Sequence, residues 1–279
     1  MCPIVDGGPG QAAWMDDPAK TGPVDQVILV DGEISQQTLA RLFDECDRLG
    51  ADLYLFPGLN LTLMGNSRVT SIGGLPLIPL RSSFVSSPYR PIKRLLDTAA
   101  ATAVLVVSSP LVLAAVLAIR IESRGPALFA QERLGLNGRP FRLFKLRTMV
   151  AGAEAQTGPA LAGEGDPRVT RVGRVLRRFR IDEIPQLWNV VRGDMSLVGP
   201  RPERPEFAAR FAAETPLYAR RFAVKPGMTG LAQIHGRYDT AYAQKLRYDL
   251  IYANSVSLGT DLRILVATAR TILTGHGAR

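Results

Sequence analysis

The sequence predicts a membrane-associated α+β protein. A small α/β module precedes one apolar helix, and a basic, mainly helical region follows it. Three observations carry that expectation. Thr98–Ile119, TAAATAVLVVSSPLVLAAVLAI, runs 22 residues without a charge. Residues 24–80 alternate short β-rich pieces with one amphipathic stretch. Of the net charge of +9, +8 lies between Arg133 and Arg180, where eleven Arg and Lys face three acids. The 279 residues, 46% of them hydrophobic, supply ample core and exclude whole-chain disorder. Two cysteines, Cys2 and Cys46, cannot form a disulfide framework and read as reduced thiols.

Residues 1–23, rich in Gly, Pro, Asp and Ala without periodicity, are expected to be a mobile tail. Val27–Val30 reads as a buried strand. Ser35 is placed to cap a helix whose apolar positions Leu39, Leu42, Phe43 and Cys46 follow the i, i+3, i+4, i+7 rule. Leu53–Phe56 reads as a second strand, and short β-like pieces continue to Leu80. Gly7, Gly8 and Gly10 precede the first strand and open no helix, so dinucleotide binding has no support.

The uncharged run would be about 33 Å long as a helix, enough for a ~30 Å hydrocarbon core. Pro110 at its centre cannot donate to the Val106 carbonyl, so a bend is expected, with Ser108 or Ser109 supplying the missing donor. Four basic residues flank each side: Arg81, Arg90, Lys93 and Arg94 before, Arg120, Arg124, Arg133 and Arg139 after. A spanning helix usually carries such an excess on its cytoplasmic side alone. The balance suits a hairpin with both ends on one face, although the residues alone leave a spanning helix open. Farther on, Leu262, Leu265, Val266, Ala269 and Leu273 form a helical apolar stripe. That helix either packs on the domain, the default expectation, or lies in a membrane interface.

Arg171, Arg174 and Arg178 put a basic face on a helix, which is ordinarily a solvated or headgroup-facing surface. Arg-rich surroundings also suit phosphate, which the guanidinium fork binds in bidentate fashion. Next comes Asp182-Glu183, whose carboxylates would diverge by about 100° on a helix and so divide labour rather than share a proton. Nearby arginines are expected to keep such a carboxylate ionised. Pro200 and Pro202 fix the backbone around Arg201, and the glycines of GDMSLVGPRP allow close approach. Lys225–Gln233 is a second Gly/Pro-punctuated loop. His235 and His276 lack companions at ligand spacing, which argues against zinc, and neither G-x-S-x-G nor a P-loop is present.

In this order, Lys93-Arg94 before a Ser-Pro-centred apolar run, FRLFKLRTM at Phe141–Met149, Asp182-Glu183 with IPQLWNV, GDMSLVGPRP and PGMTGLAQIHGR resemble the bacterial sugar transferases. These are the monotopic polyprenyl-phosphate phosphoglycosyl transferases that begin glycan assembly on a lipid carrier. The likeness covers Tyr89 to the C-terminus. It implies a catalytic domain over 86–279 with a re-entrant helix-break-helix at 92–121, broken at Ser109-Pro110, and amphipathic interfacial helices. It also implies that 24–85 is a partial Rossmann-like accessory module. The implied reaction is Mg²⁺-dependent transfer of sugar-1-phosphate from a UDP-sugar to undecaprenyl phosphate, giving UMP. This would be the first membrane step of a surface polysaccharide pathway, at the cytoplasmic face of the bacterial inner membrane. Asp182 would carry a covalent intermediate, with Glu183 as its partner in metal binding or proton handling. Arg201 would bind phosphate, and Lys145, Arg147, Arg177, Gln233 and Arg237 would contact substrate. Anionic membrane lipids are expected partners, nucleic acid is not, and a homo-oligomer is left open.

Two rivals stand beside this reading. One is a membrane-anchored basic protein docking on anionic lipid or nucleic acid. The other is a spanning enzyme with its N-terminal module on the opposite face.

Overall fold

The computed structural model describes residues 4–6, 24–30, 35–56, 70–72, 75–80, 89–150, 152–153, 166–215, 217–235 and 242–274. The chain divides into two compact units, Met1–Val85 with Ala212–Ala219, and Ser86–Phe211 with Arg220–Arg279.

The first unit holds a five-stranded mixed sheet. Strands β1 (Ile4–Asp6), β2 (Gln26–Val30) and β3 (Asp52–Phe56) run parallel, while β5 (Leu75–Pro79) runs antiparallel to both β3 and β4 (Thr70–Ile72). Helix α1 (Gln36–Leu49) makes the crossover between β2 and β3. Ser35 caps it by accepting from the Thr38 amide at 3.1 Å, and Gly50 ends it in the left-handed region at φ 71°. Leu42 and Cys46 pack with Val27, Leu29 and Leu53 into a core. The periodicities of residues 27–56 therefore give the right elements. The tail expected over 1–23 does not hold at Ile4–Asp6, because three residues add to the free edge of β2. A strand that short has no pattern of its own and exists through its partner.

The second unit begins with α2 (Tyr89–Glu122), a 34-residue helix long and apolar enough to cross a membrane, with little of its apolar window buried. Helical structure continues through Ser108-Ser109-Pro110, so the expected break is not a non-helical segment. The Ser109 hydroxyl donates to the Val106 carbonyl at 2.8 Å, and Ser108 donates to Val104 at 2.6 Å. That restores the bond Pro110 cannot make. Both ends of α2 are bonded within this unit. At its start, Lys93 pairs with Asp261 at 2.7 Å and Arg94 donates to the Val190 and Val191 carbonyls. At its end, Glu122 accepts from the amides of Arg171 and Val172, and Arg147 grips the Ser123 and Arg124 carbonyls.

Between those ends lie a β6 (Leu128–Leu134) and β7 (Pro140–Leu146) hairpin, α3 (Arg171–Arg178), a 3₁₀ turn (Ile181–Glu183) and α4 (Gln186–Arg192). Then come β8 (Ser196–Val198), α5 (Pro205–Glu214), a second 3₁₀ segment (Tyr218–Ala223), β9 (Gly227–Thr229), α6 (Leu231–His235), α7 (Tyr242–Asn254) and α8 (Leu258–Thr274). Two small cores sit against α2. Ala101 meets Leu143, Leu187, Val190 and Met195, and Ala115 with Ile119 meets Ala127, Leu146 and Leu176. The opposite side of α2 stays bare, with Val107 82% and Ile121 87% exposed.

Helix α8 packs on the domain, the default expectation, but through a face other than its apolar stripe. Leu262, Val266 and Ala269 of its apolar stripe are exposed, whereas Asp261 and Ile264 are buried. The reason is a polar network that draws the other face inward. Asp261 accepts from Lys93, Tyr89 and Tyr252, and Thr268 bonds Thr229. Those buried bonds fix which face turns in, and the apolar stripe is left outward.

Candidate active site

Strand β7 and helices α3 and α4 converge on the 3₁₀ turn that carries Asp182 and Glu183. Thr170 caps α3, and Gly173 lets that helix lie on strand-end residue Thr148, whose carbonyl would sit 2.1 Å from any Cβ there. The chain then turns sharply at Arg180, which holds a left-handed φ of 55°. A non-glycine residue there is strained, and such strain gathers at functional sites.

The two carboxylates differ. Glu183 gathers three cations: Lys145 Nζ at 3.1 Å, Arg180 Nη1 at 3.6 Å and Arg201 Nη2 at 3.7 Å. Asp182 is 8% exposed and, among the described residues, has no ion-pair partner within 4.0 Å. Burial and then the charge of Glu183 push the Asp182 carboxyl up to about 6, against the pull of Lys145 and Arg177. Burial acts the same way on Glu183, but Lys145, Arg201 and Arg180 outweigh it and hold that carboxyl at about 2. Burial pushes the Lys145 ammonium down, with Glu183 opposing and Arg201 assisting. The expectation that nearby cations favour the ionised form fits Glu183, whereas at Asp182 desolvation is the larger effect. At pH 7 the charged form of Asp182 still predominates. The result is a buried, weakly compensated carboxylate beside a cation-saturated one, an arrangement suited to a nucleophile and an anionic substrate.

The other candidates separate. Lys145 and Arg201 join the cluster directly. Arg177 reaches it through charge, while its Nε donates to Thr148 Oγ1 at 2.8 Å. Arg147 does not join: its terminal nitrogens donate to the Ser123 and Arg124 carbonyls just after α2. Gln233 donates to the Met228 carbonyl at 2.9 Å, and no contact among the described residues links it to Asp182. Arg237 lies outside the described residues. Arg180 is the residue the sequence reading passed over, although its place three positions before Glu183 was a usable signal.

Three glycines position Arg201. β8 and β9 pair in parallel, and the loops after them touch backbone to backbone. A Cβ on Gly199 would lie 2.3 Å from the Lys225 carbonyl, one on Gly227 2.0 Å from the Gly199 amide, and one on Gly230 2.2 Å from the Gly199 carbonyl. Gly227→Ala is accordingly expected to cost about 3 kcal/mol and lower the midpoint of thermal unfolding by several degrees. Gly259→Ala, with open space at its Cβ, serves as control. Equal midpoints for the two variants would contradict the close-approach role.

A family model described as bacterial sugar transferase matches residues 88–275. The chain is 41% identical over 245 residues to the UDP-N-acetylgalactosamine-undecaprenyl-phosphate N-acetylgalactosaminephosphotransferase of Aeromonas hydrophila, covering 86% of this chain and 56% of that protein. It is 48% identical over 193 residues to a UDP-glucose:undecaprenyl-phosphate glucose-1-phosphate transferase of Caulobacter vibrioides, covering 67% and 71%. A protein of the same description from Escherichia coli K12 is 33% identical over 264 residues, covering 93% and 57%. The chain thus spans little more than half the length of two of these three relatives.

Proposed function

The chain belongs to the bacterial sugar transferase family, and from that premise we propose that it transfers sugar-1-phosphate from a UDP-sugar to undecaprenyl phosphate through Asp182. The observation that carries the reading is the asymmetry of the carboxylate pair: Asp182 is buried and, among the described residues, without an ion-pair partner, while Glu183 assembles Lys145, Arg180 and Arg201. In the first step an Asp182 oxygen attacks the phosphorus bearing the sugar. The P–O bond to the uridine phosphate breaks, UMP leaves with that electron pair, and an acyl phosphosugar forms. In the second step a lipid phosphate oxygen attacks the same phosphorus. The acyl P–O bond breaks, regenerating the carboxylate and releasing the lipid diphosphosugar. Arg201, Arg180 and Lys145 offset the repulsion between anions in both steps. The relatives' names carry different sugars, so the proposal is of a reaction class.

Asp182 and Glu183 fit a magnesium ion, since Mg²⁺ commonly takes one or two carboxylates together with substrate phosphates and water. Asp182, a buried carboxylate with little local compensation, is the better-suited ligand of the two. Bound there, the ion would neutralise charge on the diphosphate.

The reading also places this site at headgroup height on the cytoplasmic face of the inner membrane, with α2 entering and leaving one leaflet. Support comes from both ends of α2 being bonded within the same unit. A 34-residue helix is about 50 Å long, and a spanning course would carry that unit's charged residues through hydrocarbon. The bare faces of α2 and α8 suit lipid contact. In a background without Cys2 and Cys46, cysteines at Arg90 and Arg139 are expected to label from the cytoplasmic side alone. Labelling from opposite sides would overturn the hairpin and favour the spanning rival.

The chemistry is tested by intact-mass measurement of the full chain with UDP-sugars and Mg²⁺ but no lipid acceptor. A phosphosugar adduct mapping to the Asp182 peptide is expected. Steady UMP release with no adduct would sink the covalent route.

A further inference from the structure

Arg201 combines an exposed tip with a firmly bonded base. Its side chain is 48% exposed and reaches no closer than 3.7 Å to Glu183. Its backbone lies between Pro200 and Pro202, which have fixed φ and no amide donors. Carbonyls in such a segment need partners from elsewhere, and four in succession have them. Pro200 accepts from the Gly227 amide at 2.9 Å and Glu203 from the Leu134 amide at 2.9 Å. Pro202 accepts from Arg133 Nη1 at 3.1 Å, and the Arg201 carbonyl itself accepts from Arg221 Nη2 at 2.8 Å.

The last of these bonds stands apart. Arg221 and Asp249 are each 4% exposed in their side chains, and they meet through Nε at 3.0 Å and Nη2 at 2.7 Å on the same carboxylate oxygen. A buried, charge-assisted pair of this kind has one orientation, and it directs the remaining donor capacity of Nη2 at one carbonyl. Asp249 sits on α7 and Arg221 on the 3₁₀ segment, both outside every sequence motif noted above. Neither touches Glu183 or Asp182 among the described contacts.

We propose that Arg221, oriented by Asp249, is a positioning residue: it fixes the backbone of Arg201 so that the guanidinium is held ready for the donor diphosphate. This rests on the reading of Arg201 as a phosphate ligand. The physical gain is a binding group whose base is ordered before substrate arrives, so less freedom is lost on binding.

The test uses the full chain in detergent with UDP as probe, comparing Arg221→Lys, Asp249→Asn, Arg201→Ala and the combination of Arg221→Lys with Arg201→Ala. Lysine keeps the charge but lacks the fork that serves the carboxylate and the carbonyl together. Asp249→Asn is the fallback should Arg221→Lys fail to fold. Each single variant is expected to weaken UDP binding about tenfold. In the Arg201→Ala background, Arg221→Lys should change it less than about twofold, because the group it positions is gone. Equal losses in both backgrounds, or unchanged UDP affinity accompanied only by a lower unfolding midpoint, would overturn the positioning role and leave Arg201's role intact. Unchanged UDP affinity in Arg201→Ala alone would instead remove the phosphate-ligand reading, and this proposal with it.

Discussion

Asp182→Asn is expected to eliminate UMP release from UDP-sugar, by on the order of 10⁴-fold or more, while making the protein more stable at neutral pH. The loss follows from replacing a nucleophilic oxygen by an amide that cannot form the acyl phosphate. The gain follows from the same burial that makes the site. The Asp182 carboxyl stands at about 6 in the folded protein, above its ordinary 3.8, so ionising it costs the fold on the order of 2–3 kcal/mol. A carboxyl raised in this way destabilises where it is charged. The cost is fully present above about pH 6, shrinks as pH falls, and vanishes below 3.8, where folded and unfolded chains are both protonated. Thermal unfolding in Mg²⁺-free buffer should therefore favour the Asn variant at about pH 7.5 and show no advantage near pH 3. A docking protein that uses its basic surface would lose nothing by the exchange. Near-normal turnover in the Asn variant would end the enzymatic reading.

Local patterns carried the parts of the fold that are local. The β2-α1-β3 crossover follows from apolar runs and a Ser35 cap, because each element is specified within its own residues. The bond from Ser109 to the Val106 carbonyl is likewise foreseeable, since both partners lie within one turn of Pro110. Elements that depend on distant partners were not legible. β1 is three residues whose partner is β2, and α8 shows a stripe whose direction is set by Lys93, more than 160 residues earlier. Periodicity names a face but not which way it points.

The site divides along the same line. The motifs brought Asp182, Glu183, Lys145 and Arg201 together as candidates, and the structure joins them. Adjacency could not say which carboxylate would be buried with no ion-pair partner among the described residues and which would be saturated with cations. Residue type could not separate Lys145, aimed at Glu183, from Arg147 two positions later, aimed at main-chain carbonyls. An arginine's donors serve phosphate and a helix end equally well, and the choice depends on which acceptors the fold places within reach.

Glu183→Gln isolates the second carboxylate and is expected to lower kcat by roughly 10²-fold without raising KM for the UDP-sugar. Removing the charge leaves Lys145, Arg180 and Arg201 together with one counter-charge fewer, so the cationic cluster still attracts a diphosphate. What fails is their arrangement, since Glu183 Oε1 is the common point that holds Lys145 at 3.1 Å and Arg201 at 3.7 Å. The pH profile carries a sharper sign. Burial already lowers the Lys145 pKa and Glu183 is the largest opposing influence, so its loss drives that pKa further down. The alkaline limb of the rate profile should therefore move to lower pH. Asp182, relieved of a like-charged neighbour, becomes a stronger acid, so the acid limb should move down as well. A uniform fall in rate with both limbs unmoved would mean that Glu183 shapes the pocket without setting its charges. The joint downward shift is the outcome that a merely structural glutamate cannot produce.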